Sequence, residues 1–492
     1  MQSNSQKAIK GISSQAIVTI VLGLVEIASF AIMSRLLSKE DFGLFASVMA
    51  VVAVFSSFTE AGIGSAVVQR KDIDSRYVNN AFTICLLFGL FVSIIEVILA
   101  GPISKAVLSD RLRDPLMLMS ITLFVNCLTS VNIGLLQREL RFLTIGVIQV
   151  VSVIISTIIA IVLAFRGMGY YAIVIKAIAT PILVYCISFY YIKTRFHICL
   201  DKENFKAIFG FSGWFMASRL LRNLSKQIDR LLMPRLMSVE MLGAYTRPKE
   251  FIDQISTKLN GVFDTVLFPV LSSIQDNKYK LASSLEKSVY YLNLFSTIIT
   301  FAFAFNSRLL IHIFFGEAWL SLSTVFSVLS IAVLFNADGR LADCYLRSLG
   351  KTKEQFLFRI LELGFKVGSI VIGVQWGLLG VAIAVVFSES LVRLVKLFYV
   401  SKKVDLPPIT ITKWIFSSWR VCLFLLPINI FAYVITPNSL GGEIMMALIF
   451  IFSIFVAFLL KPIIVGNRYK QEVYPKVKDI MKDIHILNSF YK

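Results

Sequence analysis

The sequence predicts an all-α integral membrane protein that crosses the bilayer about 14 times. Of its 492 residues, 57% are hydrophobic and only 16% are charged, whereas soluble domains contain about 25% charged residues. The mean hydropathy is +0.77. Apolar stretches of roughly 20 residues, the length that spans a bilayer, follow one another with short connections. Soluble, disordered, fibrous and disulfide-rich classes are therefore excluded.

Fourteen apolar stretches are predicted to be the membrane spans. In chain order they cover residues 14–37, 42–66, 79–101, 115–136, 144–165, 169–192, 211–235, 241–270, 286–310, 318–346, 356–375, 378–400, 414–436 and 441–463. Two of the turns between them contain glycine, at 167–169 and 375–377, which is typical of a break between helices. No connection is long enough to form a sizeable soluble domain.

The distribution of basic residues predicts which side of the membrane each connection faces. Fourteen spans place both termini on one side, and the connections on that side hold about three times as many Lys and Arg residues as the others. Because cytoplasmic loops are the basic ones, both termini are expected in the cytoplasm of a multi-pass inner (plasma) membrane protein. The formal charge of +19 then reflects topology, and the partners are membrane lipids, with no nucleic acid.

Cysteine and histidine residues offer no candidate site. The six Cys are scattered without a CxxC pair and are interpreted as packed thiols. The three His are too dispersed to ligate a metal, so no metal is expected.

A sequence repeat indicates an internal duplication. Residues 33–46 recur 200 residues later, at 233–246, with six identical positions. The identical pairs are Met33/Met233, Arg35/Arg235, Leu36/Leu236, Ser38/Ser238, Glu40/Glu240 and Gly43/Gly243. Each copy lies in the outer turn between the first two spans of a six-span half. Because six is even, the halves are parallel repeats related by an axis along the membrane normal, around a central cavity.

The predicted organisation follows from the repeat. An N-terminal lobe covers 1–200 with helices 1–6, and a C-terminal lobe covers 201–404 with helices 7–12. Helices 13 and 14 occupy 405–465, and a basic cytoplasmic tail covers 466–492. The repeat also makes the first span part of the fold rather than a cleaved signal peptide.

Span 7 carries a stripe of cations on one helical face. Ionisable side chains in hydrocarbon are costly and normally face a cavity or a partner. The stripe consists of Arg219, Arg222, Lys226 and Arg230, spaced i, i+3, i+7 and i+11, with Asp229 beside it. We expect this face to line a water-filled cavity for an anionic solute, because Arg and Lys bind phosphate oxygens. Arg340, on a polar stripe of span 10, is assigned to the same cationic cavity.

Five acidic residues within the spans are candidates for binding a coupling H⁺ or Na⁺. They are Glu26, Glu60, Asp229, Asp253 and Asp264. They could also balance the cations, and for Glu26 and Glu60 a structural hydrogen bond is an equal alternative. Near the inner ends of the spans, Arg347, Arg359 and Lys396 are expected to form ion pairs or to extend to the interface.

The sequence lacks the common catalytic motifs. It has no Walker A loop, no HExxH and no GxSxG. Neither an ATP-driven pump nor an enzyme is therefore expected, and no cofactor is implied beyond a coupling H⁺ or Na⁺.

Short segments in a fixed order support a family resemblance. They are 10–14 (KGISS), 34–37 (SRLL), 41–44 (DFGL), 62–70 (GIGSAVVQR), 135–142 (LLQRELRF), 209–211 (FGF), 228–230 (IDR), 266–269 (VLFP) and 315–319 (FGEAW). With them the chain resembles the polysaccharide-transporter branch of the multidrug/oligosaccharidyl-lipid/polysaccharide flippase superfamily, and most of all the colanic-acid-type Wzx flippases. The resemblance covers roughly residues 5–465.

The resemblance implies two six-helix lobes around a V-shaped cavity that works by alternating access. It implies export of undecaprenyl-diphosphate-linked oligosaccharide repeat units, for capsule, exopolysaccharide or O-antigen, across the bacterial inner membrane. Transport in the family is usually cation-coupled. The span 7 cations would hold the diphosphate, and polysaccharide polymerase or assembly proteins would be partners.

Four other functions are considered. A lipid II flippase shares fourteen spans and a basic cavity. A cation-coupled drug or metabolite antiporter of the same superfamily would favour an acid-rich cavity. A membrane polysaccharide polymerase or ligase should have a long outer loop, which this sequence lacks. A lipid scramblase would need no ion gradient.

Overall fold

A computed structural model describes residues 4–59, 64, 67–68, 73–106, 110–192, 197–199, 212–436 and 439–459. Within these ranges all regular secondary structure is helical, which confirms the all-α class. The chain divides into two compact units. Unit 1 comprises residues 1–247, 314–318 and 366–377, and unit 2 comprises 248–313, 319–365 and 378–492. The predicted lobe boundaries at 200/201 and 404/405 stay a prediction.

The described part of unit 1 combines the short segments 314–318 and 366–377 with seven long helices and the start of an eighth. They are α1 (Asn4–Leu36), α2 (Lys39–Thr59), α3 (Ser75–Ala106), α4 (Arg113–Arg138), α5 (Phe142–Phe165), α6 (Tyr170–Ile192), α7 (Ser212–Leu236) and α8 (Val239–Ser273). Each of the first eight predicted spans falls on one of these helices.

Unit 2 continues along α8 and contains most of the remaining helices. They are α9 (Lys278–Phe305), α10 (Ser307–Phe314), α11 (Ser323–Ser330), α12 (Ala332–Ser348), α13 (Thr352–Gly373), α14 (Gly377–Lys403), α15 (Pro408–Ile435) and α16 (Leu440–Leu459). The predicted span at 318–346 is not one continuous α-helix. It begins with a 3₁₀ segment, Glu317–Leu322, and α11 and α12 follow on either side of Ile331.

Eight helical stretches within the described ranges are long and apolar enough to cross a membrane. They are Lys39–Thr59, Ser75–Ala106, Asp110–Arg138, Phe142–Phe165, Tyr170–Ile192, Lys278–Phe305, Glu317–Ser348 and Lys353–Lys403. The stretch Lys353–Lys403 includes both α13 and α14. Helix α7 is not among the eight, because its charged residues interrupt the apolar sequence. A multi-pass membrane protein is therefore supported, while the number 14 stays a prediction.

The core of unit 1 forms where α2, α3 and α4 meet. We call it the α2–α3–α4 cluster, and its buried members include Leu44, Val48, Val51, Val52, Val92, Ala100, Leu116, Met119 and Leu123. Gly89 of α3 allows α4 to approach closely, since a Cβ there would lie 3.0 Å from the Cβ of Cys127. One turn further along α3, the Ser93 hydroxyl donates to the Ser120 carbonyl at 2.8 Å. These contacts fix the antiparallel register of α3 and α4.

The core of unit 2 is assembled from α9, α12, α14 and α15. Its buried members include Leu285, Val289, Leu341, Tyr345, Leu397, Val400, Ile411 and Ile415. The Tyr345 hydroxyl donates to the Leu281 carbonyl at 3.2 Å, so this buried phenol is satisfied. The packed faces of these helices position the charged residues described below.

The two copies of the sequence repeat meet each other. Gly43 lies at the start of α2, and a Cβ there would be 1.8 Å from the carbonyl oxygen of Val239. Gly243 lies at the start of α8, and a Cβ there would be 1.8 Å from the carbonyl oxygen of Lys39. Residue 239 is residue 39 shifted by the repeat, so each glycine contacts the equivalent position of the other copy. Such reciprocal contacts are the signature of a two-fold axis.

The other identical positions of the repeat have matching local roles. Ser38 and Ser238 each accept the backbone N–H three residues on, at 3.1 Å, and so cap the starts of α2 and α8. Arg35 and Arg235 lie in the last turns of α1 and α7. Glu40 and Glu240 lie in the first turns of α2 and α8. These placements complement the helix dipoles, so the repeat encodes two equivalent helix–turn–helix units.

Candidate functional site

Asp229, the acid beside the cationic stripe, is neutralised by a lysine from another helix. Its Oδ2 lies 3.3 Å from the Nζ of Lys366 on α13, and the two side chains are 2% and 5% exposed. The same ammonium donates to the Ser225 carbonyl at 3.3 Å. A buried ion pair of this kind is costly to break, because removing one partner leaves an uncompensated charge.

The cationic residues of span 7 lie on one helix, as the spacing predicts. Lys226 is exposed and Arg230 is half-buried, while the side chains of Arg219 and Arg222 lie outside the described residues. Asn223 fixes one edge of this face, since its Nδ2 donates to Ser57 Oγ at 2.8 Å and to the Ala53 carbonyl at 3.3 Å on α2. Asp229 fixes the other edge through Lys366. On helical geometry, the cations lie between these two edges.

A second charged cluster in unit 1 involves α1, α6 and α8. Arg247 stacks between two aromatic rings, with its guanidinium 3.4 Å from the Phe30 centroid and 4.1 Å from the Phe42 centroid. It also donates to Ser34 Oγ at 3.2 Å and to the Phe30 carbonyl at 3.1 Å. Stacking and hydrogen bonding together use both the face and the edge of the guanidinium.

Lys176 and the predicted coupling acid Glu26 complete this cluster. Lys176 donates to Ser29 Oγ and interacts electrostatically with both Arg247 and Glu26. We call Glu26, Lys176 and Arg247 the α1–α6–α8 cluster. Of these three residues, the sequence analysis singled out Glu26 as a candidate coupling acid. Arg247 lies two turns inside α8.

Unit 2 contains a continuous network of ion pairs whose members are buried or partly buried. Asp343 of α12 pairs with Arg359 of α13 and with Lys396 of α14, the latter at 3.0 Å. Arg359 also pairs with Glu362 at 2.7 Å. The chain of contacts ends at Arg393, which lies 3.8 Å from Glu362 and 2.6 Å from Glu389. Three cations meet three acids, so this network is balanced, and the expected ion pairing of Arg359 and Lys396 is confirmed.

Arg340 also belongs to α12, but its hydrogen bond is to α8 and not to a member of this network. Its Nη2 donates to Thr257 Oγ1 of α8 at 3.0 Å. Thr257 belongs to the polar face of α8 that includes Asp253, which is exposed. The side chain of Asp264, and the whole of Glu60, lie outside the described residues. Arg340, one of the residues assigned to the cationic cavity from sequence, thus contacts the polar face of α8.

The structure also reveals two polar sites in unit 2 that sequence reasoning missed. Asp338 is fully buried and accepts from Asn293 Nδ2 of α9 at 2.8 Å. It lies off the polar stripe of α12, so no sequence pattern indicated it. Glu443 of α16 is buried between Arg308 and His312, each at 3.4 Å. Within the described ranges, no group of three or more His, Cys, Asp or Glu side chains could hold a metal ion.

The sequence profile of a family described as "Polysaccharide biosynthesis protein" matches residues 32–324. The chain is 21% identical over 435 residues to "Lipopolysaccharide biosynthesis protein WzxC" of Escherichia coli (strain K12), covering 87% of each chain. It is 24% identical over 385 residues to a "Putative O-antigen transporter" of Shigella flexneri, covering 73% of this chain and 90% of that one.

Two solved structures share the fold. "Lipid II flippase MurJ, inward closed conformation" superposes with a TM-score of 0.68 and 14% identity, covering 91% of this chain and 98% of that chain. An "inward-facing conformation of a multidrug resistance MATE family transporter of the MOP superfamily" gives a TM-score of 0.65 and 14% identity, covering 78% and 94%. At these identities the likeness shows the fold alone.

Proposed function

Because the chain belongs to the polysaccharide biosynthesis protein family, we propose that it is a flippase for undecaprenyl-diphosphate-linked oligosaccharide repeat units. It moves these units across the bacterial inner membrane by alternating access, with both termini in the cytoplasm. The units would supply capsule, exopolysaccharide or O-antigen. The protein acts as a transporter and not as an enzyme, and polymerase or assembly proteins take over the flipped units.

The observation that most supports this proposal is the family match over residues 32–324, and the cations that the sequence predicts on one face of span 7 fit the cargo. Asp229, the acid beside those cations, pairs with Lys366 of α13. A diphosphate is the matching ligand, because guanidinium and ammonium groups donate to its oxygens at multiple points.

In this proposal each part of the cargo has its own environment. Arg219, Arg222, Lys226 and Arg230, with Arg340, hold the diphosphate while the oligosaccharide occupies the cavity. The polyprenyl chain stays in the bilayer, since moving it into water would expose its apolar surface. The contact between Gly43 and Gly243 closes the outer side, and its separation opens the cavity outward. Cargo and ion drive the cycle only through their different affinities for the two states.

A coupling H⁺ or Na⁺ is the proposed source of energy. Glu26 is the best supported of the five acids assigned from sequence, because it belongs to the α1–α6–α8 cluster with Lys176 and Arg247. Binding of a cation at Glu26 would change the charge balance of that cluster. Asp229 is better explained as the partner of Lys366 than as an ion site. Asp253, Asp264 and Glu60 stay candidates from sequence.

A lipid II flippase is the second candidate function, favoured by the structural likeness to MurJ. Mass spectrometry of lipids from a deletion strain separates the two. Accumulation of a polyprenyl diphosphate with a strain-specific oligosaccharide supports the main proposal, and its mass identifies the cargo. Accumulation of lipid II supports the second. Unchanged lipid pools with altered drug sensitivity would instead indicate an antiporter.

A further inference from the structure

Glu96 is an acid buried within a helix that is long and apolar enough to span a membrane. It belongs to α3 and has no exposed surface. Neither of its carboxylate oxygens has a hydrogen-bond partner in the described part of the chain. The other buried acids of the described chain differ, since Asp229, Asp343 and Glu443 pair with cations and Asp338 accepts from Asn293.

The register of α3 and α4 defines what surrounds Glu96. Ser93, one turn before it, hydrogen-bonds to Ser120 of α4. In an antiparallel pair, Glu96 then lies opposite the turn of α4 that contains Leu116. Val92 and Ala100, which share a helical face with Glu96 at i−4 and i+4, are both buried in the α2–α3–α4 cluster. The carboxyl group therefore points into a cluster of aliphatic side chains.

Among the described residues of the neighbouring helices, no charged group compensates Glu96. The Asp, Glu, Lys and Arg residues on the elements packed against α3 lie in the first or last two turns of those elements. They are Lys39, Glu40 and Asp41 of α2, Asp110 and Arg111 of the 3₁₀ turn, Arg113, Asp114 and Arg138 of α4, and Lys176 of α6. Arg111 pairs with Glu40, and Lys176 donates to Ser29. The packing seen here therefore fits a neutral, protonated carboxyl group, because an isolated carboxylate in such surroundings is strongly unfavourable.

Helix α2 connects Glu96 to the contact between the two repeats. Gly43 of α2 packs against Val239, while Leu44 and Val48, in the same two turns, are buried against the neighbours of Glu96. Movement of α2 away from α8 would therefore also disturb the cluster around Glu96. Conversely, a charge on Glu96 would favour any movement of α2 that admits water to the carboxylate.

We propose that Glu96 is a proton-binding site whose protonated form stabilises the closed contact between Gly43 and Gly243. The inference rests on the proposed transport function and names its coupling ion as H⁺. In the open state the Glu96 carboxylate takes up one H⁺ from water and becomes a neutral carboxylic acid. The helices then pack as observed, and release of the same H⁺ to water restores the carboxylate. No other bond is made or broken.

The test measures the repeat contact in the purified protein without any cargo. Spin labels are placed at Glu40→Cys and Glu240→Cys, two exposed equivalent positions, in a background lacking the native cysteines. Distances between the labels are recorded in nanodiscs by pulsed electron resonance across a range of pH. We expect the distance to lengthen as pH rises, because deprotonation of Glu96 favours separation of α2 from α8. In Glu96→Gln, a permanent mimic of the neutral acid, it should stay short at every pH.

Glu139→Gln is the matched control, since Glu139 is an exposed acid of the same unit, and it should respond like the parent protein. Infrared spectra give a second readout, in which the carbonyl band of a buried protonated acid should be lost in Glu96→Gln. A pH response that is the same in Glu96→Gln, no response in the parent protein, or persistence of the carbonyl band would each overturn the proposal. Because no cargo is present, such a failure would leave the proposed flippase function standing, and the lipid analysis tests that function separately.

Discussion

Gly43 and Gly243 occupy equivalent positions of two sequence copies, and each packs against the backbone of the other copy. A side chain at either position would overlap a carbonyl oxygen, so only glycine permits this approach. The reciprocity gives the two repeat segments a local two-fold relationship. The helices that meet here, α2 and α8, each begin at a serine cap that is itself part of the repeat.

The glycine contact gives the first prediction. Gly43→Ala and Gly243→Ala should each reduce export strongly, because a methyl group would clash with backbone and force α2 and α8 apart. Overpacking of this kind typically costs about 1–3 kcal/mol, and here it would destabilise the state in which α2 and α8 are in contact. Surface polymer and membrane protein level are measured together. Gly368→Ala is the matched control, since a Cβ at Gly368 has nothing within 4 Å. Normal export in both test variants would contradict the assigned role.

The buried pair Asp229–Lys366 gives the second prediction. Lys366→Ala should destabilise the protein by about 3–5 kcal/mol, because it leaves the Asp229 carboxylate buried without a partner. The double variant Asp229→Asn with Lys366→Gln removes both charges and should recover much of the loss. Thermal unfolding in detergent measures the effect. Lys278→Ala is the control, because the Lys278–Asp405 pair is exposed and contributes about 1 kcal/mol or less. Equal losses in Lys366→Ala and Lys278→Ala would refute this explanation.

The cationic stripe gives the third prediction. Arg222→Ala and Arg230→Ala should abolish export while the protein stays in the membrane, because each removes a proposed ligand of the diphosphate. Arg230→Lys should retain part of the activity, since it keeps the charge but loses the paired donors. Export is measured as surface polymer, with Arg141→Ala as the control at a surface cation that pairs with Glu139. Normal polymer in both alanine variants would exclude the cationic site.

The coupling acids give the fourth prediction. Glu26→Gln, Asp264→Asn and Glu60→Gln should each make export less sensitive to the ion gradient, because the neutral amide cannot take up H⁺ and lacks the negative charge that attracts Na⁺. Export is compared before and after an ionophore collapses the gradient. A variant whose export responds to the collapse as the parent protein does would remove that acid from the coupling mechanism.

Composition and periodicity predicted the helical membrane class, and the repeat at 33–46 and 233–246 predicted an internal duplication. The contact between the two copies, at the starts of α2 and α8, is a finding of the structure. The cations of α7 were also predicted to share a helix. Each of these features depends only on the residues of one helix or on the similarity of two segments, so it can be read from the sequence without knowing how the helices pack.

The partners across helices could not be predicted. Nothing in the sequence indicates that Lys366 lies beside Asp229, which is distant in the chain, because that pairing depends on how α7 and α13 pack. Arg247 lies within the predicted span 241–270, but nothing in the sequence indicates that its guanidinium stacks between the rings of Phe30 and Phe42. Asp338 and its partner Asn293 follow no stripe and become visible only in the packed core.

The most direct test of the proposed function is the distribution of the lipid-linked repeat unit between the two leaflets of the inner membrane. Spheroplasts of strains with and without the protein are treated with a membrane-impermeant glycosidase, and the lipid-linked oligosaccharide that escapes cleavage is quantified. With the protein present, most of the repeat units should be cleaved, and without it most should be protected. Arg222→Ala should resemble the strain without the protein. Equal cleavage in both strains would contradict the proposal that this chain moves the lipid-linked oligosaccharide across the membrane.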